Sequence, residues 1–125
     1  MADPAPRPPS DAIVLVVDDE PVVRRFMARA LSEAGYQVLE APSGVEAVAV
    51  LSANPAAIQL VVSDIAMPQM SGLDLAAIVS ERWPTISLLL VSGQGRPPAE
   101  YRGSFLPKPF APDNLVAAVV SLMPS

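Results

Sequence analysis

The fold of this chain is decided by the stretch Ile13–Pro21, which reads IVLVVDDEP. Its first five residues form a continuous apolar run, which is typical of a strand buried on both faces of a parallel sheet. Proline is well tolerated in the first turn of a helix, and Gly35 offers a C-terminal stop. Between them an apolar helical pattern comprises Val23, Phe26, Met27, Ala30 and Ala34. The stretch therefore predicts a buried strand followed by a helix, with acidic residues at the junction.

The same strand-then-helix unit recurs along the rest of the chain. The further predicted strands are Gln37–Ala41, Leu60–Ser63, Ile86–Val91 and Ser104–Pro107, and the further predicted helices are Ser43–Leu51, Gly72–Arg82 and Asp113–Met123. Alternation with short connections favours right-handed crossovers and an open parallel sheet with helices on both faces. We predict a doubly wound α/β fold with five parallel strands and about five helical elements.

The fourth crossover is unusually short. Residues 93–103 include three glycines and the pair Pro97-Pro98, whereas a β–α–β crossover needs roughly 10–12 residues including its helix. We predict that the fourth helix is reduced to a turn around Ala99–Arg102 or is replaced by a loop.

Composition limits the possible functions. The chain has 125 residues, 51% of them hydrophobic and 17% charged, which suits one compact domain. Its net charge is −5 and it has no dense Lys/Arg cluster, so we expect neither nucleic acid nor membrane as a direct partner. The absence of cysteine and histidine excludes thiolate and histidine metal sites and Ser–His catalysis.

The predicted domain occupies residues 11–125, after a flexible Pro-rich N-terminal extension at residues 1–10. The N-terminus lacks the apolar core of a signal peptide, and the longest apolar runs are far too short to span a bilayer. We therefore expect a cytoplasmic protein.

Polar residues follow the predicted strands at their carboxyl ends. They are Asp18, Asp19, Asp64, Ser92 and Lys108. Ligands of open parallel sheets bind beyond this edge, so we expect these side chains to converge there. Three neighbouring carboxylates repel one another, and Mg²⁺ is the hard cation that such oxygen ligands commonly hold. The sequence therefore predicts a Mg²⁺ site formed by the three aspartates.

Each of these residues also has a purely structural interpretation. Asp18 and Asp19 suit the start of a helix, where acidic side chains are favourable. Ser92 with the following glycine is typical of a turn, and Lys108, the only lysine, suits a solvated loop. The prolines on both sides of Lys108 favour a held position instead, and the Lys108–Pro109 bond is a candidate for the cis form.

Four motifs in this order give the chain a specific resemblance to a known family. They are Val16–Pro21, Ser63–Gly72, Val91–Gly93 and Phe105–Phe110, after the first, third, fourth and fifth predicted strands. Over about residues 11–123 the chain resembles the receiver domain of two-component response regulators, which has a flavodoxin-like fold.

The resemblance implies a phosphoryl-transfer chemistry. A histidine kinase or histidine phosphotransfer protein would supply the phosphoryl group, and Asp64 would accept it with Mg²⁺ as cofactor. Asp19 matches the family's direct metal ligand and Asp18 its neighbour, with the backbone carbonyl of Ala66 as a further ligand. Lys108 matches the lysine that pairs with the phosphoryl oxygens.

The resemblance also implies a switch and a docking face. Ser92 would bond a phosphoryl oxygen, and Phe105 matches the switch aromatic whose burial follows, although it also suits an ordinary ring at the edge of the core. The expected docking face consists of Val22, Arg25 and Arg29 of the first helix with Pro109-Phe110. Since dimerisation in the family commonly uses the fourth helix, we expect a monomer or weak dimer here.

These observations favour a signalling switch that acts through protein contacts on an unknown target, either as a single-domain regulator or as the receiver of a hybrid kinase. We expect no enzyme activity beyond its own phosphorylation and slow self-dephosphorylation. The alternative is a receiver-like interaction scaffold that is not phosphorylated. A phosphohydrolase is disfavoured because Ala66 offers no general acid near Asp64, although Gln94 remains a candidate to position water.

Overall fold

The protein is described by a computed structural model over residues 12–123, so the predicted extension at residues 1–10 lies outside the described part of the chain. The elements in chain order are β1 (Ile13–Val17), α1 (Pro21–Glu33), β2 (Gln37–Ala41), α2 (Gly44–Ala53), β3 (Ile58–Asp64), α3 (Gly72–Arg82), β4 (Ser87–Ser92), β5 (Ser104–Pro107) and α4 (Pro112–Leu122). None of these helices is long and apolar enough to cross a bilayer.

All five strands are parallel and lie in the order β2-β1-β3-β4-β5. The predicted doubly wound α/β sheet is therefore confirmed. The chain reverses its direction of winding between β1 and β3, and the carboxyl ends of these two strands are where sheets of this kind bind ligands.

Two apolar cores cover the two faces of the sheet. Val14 and Val16 of β1 face α1 and α4, while Leu15 and Val17 face α2 and α3. Successive side chains of a strand point to opposite faces, so a strand between two helical layers must be apolar at every position. The continuous run in β1 thus follows from its central place in the sheet.

The fourth crossover contains no helix. Within residues 93–103 the only regular feature is a turn at Ala99–Glu100, closed by the amide of Tyr101 donating to the carbonyl of Pro98 at 2.9 Å. The prediction that the fourth helix is missing is confirmed. The expectation of about five helical elements is wrong, because the described chain has four helices and no other segment supplies a fifth.

The first helix differs from its predicted core pattern at one position. Phe26 is 42% exposed, and its ring lies 6.2 Å from that of Phe110. Met27, Ala30 and Leu31 form the centre of the buried stripe, and Phe26 lies at its edge. The ring therefore covers the loop after β5 and remains partly in solvent.

The start of α3 is held by local hydrogen bonds. The hydroxyl of Ser71 accepts from the amide of Asp74 at 3.1 Å, and the carboxylate of Asp74 accepts from the amide of Ser71 at 3.0 Å. This reciprocal capping satisfies two of the amides that a helix leaves free at its N-terminus. It holds the first turn of α3 close to the end of β3.

Candidate functional site

An acidic cluster lies at the carboxyl edge of the sheet, formed by Asp18, Asp19 and Asp64. One carboxylate oxygen from each residue lies within 4.8 Å of the others. Asp18 and Asp64 are buried, whereas Asp19 is exposed. The structure thus brings together the three aspartates that the sequence analysis selected, and the cluster opens to solvent on the side of Asp19.

Lys108 reaches the cluster from the loop after β5. Its Nζ donates to Asp18 Oδ2 and to Asp64 Oδ1, at 3.2 Å in each case. Its amide donates to the carbonyl of Ser92 at 2.8 Å, and the Lys108–Pro109 bond is cis. The interpretation of Lys108 as a solvated loop residue is therefore wrong, because the ammonium is held between two buried carboxylates.

The electrostatic balance of the site favours a cation. Burial raises the pKa of Asp64, and Lys108 opposes this rise, while Asp18 and Asp19 add to it. Burial acts to lower the pKa of Lys108, but attraction to Asp18 and Asp64 outweighs it and raises that pKa overall. One ammonium thus faces three carboxylates. The oxygen-only donor set and the remaining negative charge suit Mg²⁺.

Ala66 follows Asp64 in the exposed loop between β3 and α3. Within the described residues no backbone hydrogen bond uses its carbonyl oxygen. That oxygen is therefore free to act as the further ligand suggested by the sequence analysis.

Hydrogen bonds from α3 and from β3 itself hold the backbone around Asp64. The amide of Gly72 donates to the carbonyl of Ile65 at 2.8 Å, and the hydroxyl of Ser63 donates to the carbonyl of Asp64 at 2.9 Å. A Cβ atom on Gly72 would lie only 2.2 Å from the carbonyl oxygen of Asp64. Gly72 belongs to one of the four sequence motifs, but nothing in the sequence indicates this contact, which depends on the approach of a helix to a strand.

Ser92 and Phe105 lie on the two strands beside the cluster. Ser92 is buried, and its Oγ accepts from the amide of Gln94 at 3.0 Å. This bond forms the turn that the structural interpretation of Ser92 and the following glycine predicted. Phe105 is partly buried and pairs with Leu90 across the parallel ladder.

Part of the expected docking face, Val22 with Pro109-Phe110, lines an open apolar pocket of about 580 Å³ beside Lys108, whereas Arg25 and Arg29 do not line it. Val22 is 82% exposed at its rim, and Phe26, Pro109 and Phe110 also line it. The helical pattern of the sequence predicts Phe26 in the core, so Phe26 is not among the residues expected on the docking face. Large exposed apolar side chains next to a site with several charged groups are typical of a contact surface for another protein.

Fold and site together define the class of protein. A doubly wound parallel sheet with three carboxylates and a lysine at its carboxyl edge describes a receiver-type phosphoacceptor domain. Residues 14–120 match the family model of the response regulator receiver domain. The chain therefore belongs to the response regulator receiver domain family.

Curated relatives and solved structures agree with this assignment. The chain is 38% identical over 118 residues to the sensor kinase CckA of Brucella abortus, covering 90% of this chain and 12% of that protein. It is 38% identical to the C4-dicarboxylate transport transcriptional regulatory protein DctD of Rhizobium meliloti, covering 82% of this chain and 23% of that protein. The chain thus spans only a small part of these curated relatives.

Two solved structures show the same fold over nearly the whole chain. The receiver domain of the hybrid histidine kinase CckA superposes with a TM-score of 0.78 at 34% identity, covering 90% of this chain and 99% of that one. A response regulator receiver domain protein from Clostridium thermocellum has a TM-score of 0.82 at 27% identity, covering 89% and 93%. The protein is thus a phosphoacceptor signalling domain of two-component systems, and the scaffold alternative is not favoured.

Proposed function

We propose that Asp64 is the phosphoacceptor, receiving its phosphoryl group from the phosphohistidine of a histidine kinase or histidine phosphotransfer protein. The single observation that carries this proposal is the position of Asp64 at the end of a central strand, inside the acidic cluster and bonded to Lys108. Asp18 also pairs with Lys108, but its side chain is fully buried, whereas 9% of the Asp64 side chain is accessible. The same carboxylate thus has both the negative neighbours that a metal needs and the ammonium that a phosphoryl group needs.

The transfer needs few protein groups. A carboxylate oxygen of Asp64 attacks phosphorus, a P–O bond forms, the P–N bond to the histidine breaks, and the ring nitrogen keeps the electron pair. Mg²⁺, when held by Asp18, Asp19, Asp64 and the Ala66 carbonyl, would supply positive charge to the phosphoryl oxygens. Lys108 would exchange its bond to Asp64 for one to a phosphoryl oxygen, acting as a point charge.

We infer that Ser92 and Phe105 respond to phosphorylation. Among the residues that the structure describes, the hydroxyl of Ser92 is held by one hydrogen bond, from the amide of Gln94, so rotation to a phosphoryl oxygen breaks one bond and makes another. Phe105 lies on an edge strand with no helix in the preceding crossover. The ring is partly buried, so its burial can increase or decrease.

We place this activity in one receiver domain over residues 11–125 that works in the cytoplasm as a monomer or weak dimer. It would pass its signal on through protein contacts, as a single-domain regulator or as part of a hybrid kinase. The domain would catalyse only its own phosphorylation and slow self-dephosphorylation. Family membership and the absence of the fourth helix support these assignments.

Labelling by a small phosphodonor tests whether Asp64 is the phosphoacceptor. We would incubate the chain with Mg²⁺ and acetyl phosphate and measure the intact mass. We expect a single phosphoryl adduct on the wild type and on Asp113→Asn, which alters an exposed carboxylate of α4, and no adduct on Asp64→Asn. The proposal would be overturned by an adduct that survives Asp64→Asn or by no adduct on the wild type.

Charge reversal tests the docking face. Arg25 and Arg29 are exposed, with 80% and 82% of their side-chain surface accessible. Exchanging both for Glu should slow transfer from the cognate kinase while leaving labelling by acetyl phosphate unchanged. The matched control is Arg82→Glu at the far end of α3. Equal loss of both rates would show that the two arginines act on the site itself and not on docking.

A further inference from the structure

Arg24 joins three elements beside the acidic cluster. Its Nη1 donates to the carbonyl oxygen of Asp18 at 2.8 Å, and its Nε donates to Glu40 Oε1 on β2 at 3.1 Å. Only 16% of its side-chain surface is accessible. The guanidinium on α1 thus ties the end of β1 to the neighbouring strand, and it is the least exposed arginine among those in described ion pairs.

The bonded carbonyl belongs to the backbone that presents both candidate metal ligands of this loop. Asp18 is also held through its amide, which donates to the carbonyl of Ala41 at 3.2 Å, and through its Oδ1, which accepts from the amide of Glu20 at 2.9 Å. Asp19 is exposed, and none of the described side-chain hydrogen bonds involves its carboxylate. The direction of Asp19 therefore depends on the peptide units on either side of it.

We propose that Arg24 is a positioning residue for Mg²⁺, which holds the Asp18 carbonyl so that Asp18 and Asp19 present their carboxylates in a fixed arrangement. This inference rests on the proposed metal-dependent phosphoacceptor function. A guanidinium suits the task because its rigid fork can bond two acceptors that lie in different directions. An ammonium at the same position is a compact point charge and does not reproduce the fork.

Charge and positioning predict opposite effects when Arg24 is removed. A cation beside the cluster repels Mg²⁺, so loss of the charge alone would tighten metal binding. Loss of a bond that orients ligands weakens binding, and partners of metal ligands typically contribute 10–100-fold in affinity. The sign of the change in Mg²⁺ affinity therefore shows whether Arg24 acts through its charge or as a positioning residue.

Isothermal titration of the metal-free chain with Mg²⁺ alone provides the test. We expect the Kd of Arg24→Met to rise about tenfold. The Kd of Arg24→Lys should also exceed that of the wild type, because the ammonium keeps the charge but not the fork. Arg102→Met removes an exposed arginine of the fourth crossover and should leave the Kd unchanged. An Arg24→Met variant that binds Mg²⁺ as tightly as the wild type, or more tightly, would overturn the inference.

Two further outcomes are decisive. If circular dichroism shows that Arg24→Met does not fold, Arg24→Lys replaces it, and a Kd equal to or below that of the wild type then refutes the positioning role. If the wild type itself binds no Mg²⁺, the proposed metal site is wrong and the role of Arg24 is refuted with it. If only the positioning role of Arg24 is wrong, the wild type still binds Mg²⁺ and acetyl phosphate still labels Asp64.

Discussion

Replacement of Gly72 by alanine should loosen the junction between β3 and α3. The added Cβ would lie 2.2 Å from the carbonyl oxygen of Asp64 and 2.9 Å from the Cα of Ile65, whereas real Cβ atoms essentially never approach closer than 3.0 Å. The two backbones must therefore part by about 0.8 Å, the difference between 3.0 and 2.2 Å. Overpacking of this kind costs about 1–3 kcal/mol, and the better helix propensity of alanine offsets less than about 1 kcal/mol.

We expect a net loss of about 2 kcal/mol in the free energy of unfolding, because the obstacle is backbone and no rotamer change relieves it. Gly44→Ala is the matched control, since Gly44 also begins a helix. There the three atoms nearest the added Cβ all belong to the side chain of Met70, with the sulfur at 2.7 Å and the Cβ and Cγ at 2.9 Å. A methionine adapts more readily than a carbonyl, so the loss should be about half as large.

Urea denaturation followed by the fluorescence of Trp83, which ends α3, measures both variants. The displaced carbonyl belongs to Asp64, the proposed phosphoacceptor, so Gly72→Ala should also slow labelling by acetyl phosphate, whereas Gly44→Ala should not. Equal stability of the two variants, with wild-type labelling rates in both, would refute the reasoning.

Three further changes have defined outcomes. Lys108→Met leaves two buried carboxylates without their ammonium, so the protein should lose about 3 kcal/mol in EDTA, with partial recovery in Mg²⁺; equal urea midpoints in both buffers would contradict this. Burial raises the pKa of Tyr101, whose neutral hydroxyl donates to the carbonyl of Ser104 at 2.8 Å. The stability that the neutral hydroxyl of Tyr101 contributes is present below the ordinary tyrosine pKa of about 10 and is lost as pH rises through the higher pKa of the folded state. Over this pH range the free energy of unfolding should therefore fall less for Tyr101→Phe than for the wild type. Ser71→Ala removes the cap of α3 and should cost about 1 kcal/mol in urea denaturation, while an unchanged midpoint would show the cap to be dispensable.

The sheet could be predicted because its strands carry unambiguous patterns. β1, β2 and β5 begin and end where the sequence placed them, and α3 does also. β3 starts at Ile58, two residues before its predicted start. Its first two residues include Gln59, a polar residue that interrupts the apolar run. Ile58 pairs with Ile13 of β1, and Gln59 lies at an irregularity in the register before Leu60 pairs with Val14.

The acidic cluster was predictable for a topological reason. Each of its residues ends or follows a strand, and parallel strands bring their carboxyl ends to one edge whatever the details of packing. Arg24 was not predictable in this way. Its partner Glu40 is 16 residues away on β2, and three arginines of α1 look alike in the sequence. Only the packing of α1 against the sheet edge distinguishes the one that turns inward.

Because the fourth crossover is a loop, Ser92 is bonded to the start of a loop and not to a helix. Its carbonyl accepts from the amide of Lys108 and its hydroxyl from the amide of Gln94, so it joins the acidic cluster to the first residues of the crossover. The other end of that crossover is tied to β5 by the bond from Tyr101 to the carbonyl of Ser104, one residue before Phe105. Because a loop held at two ends deforms more easily than a helix, we expect the response to phosphorylation to concentrate in residues 93–105. Movement of Ser92 would then reach Phe105 through this loop and through the β4–β5 ladder, without the rigid-body shift of a helix.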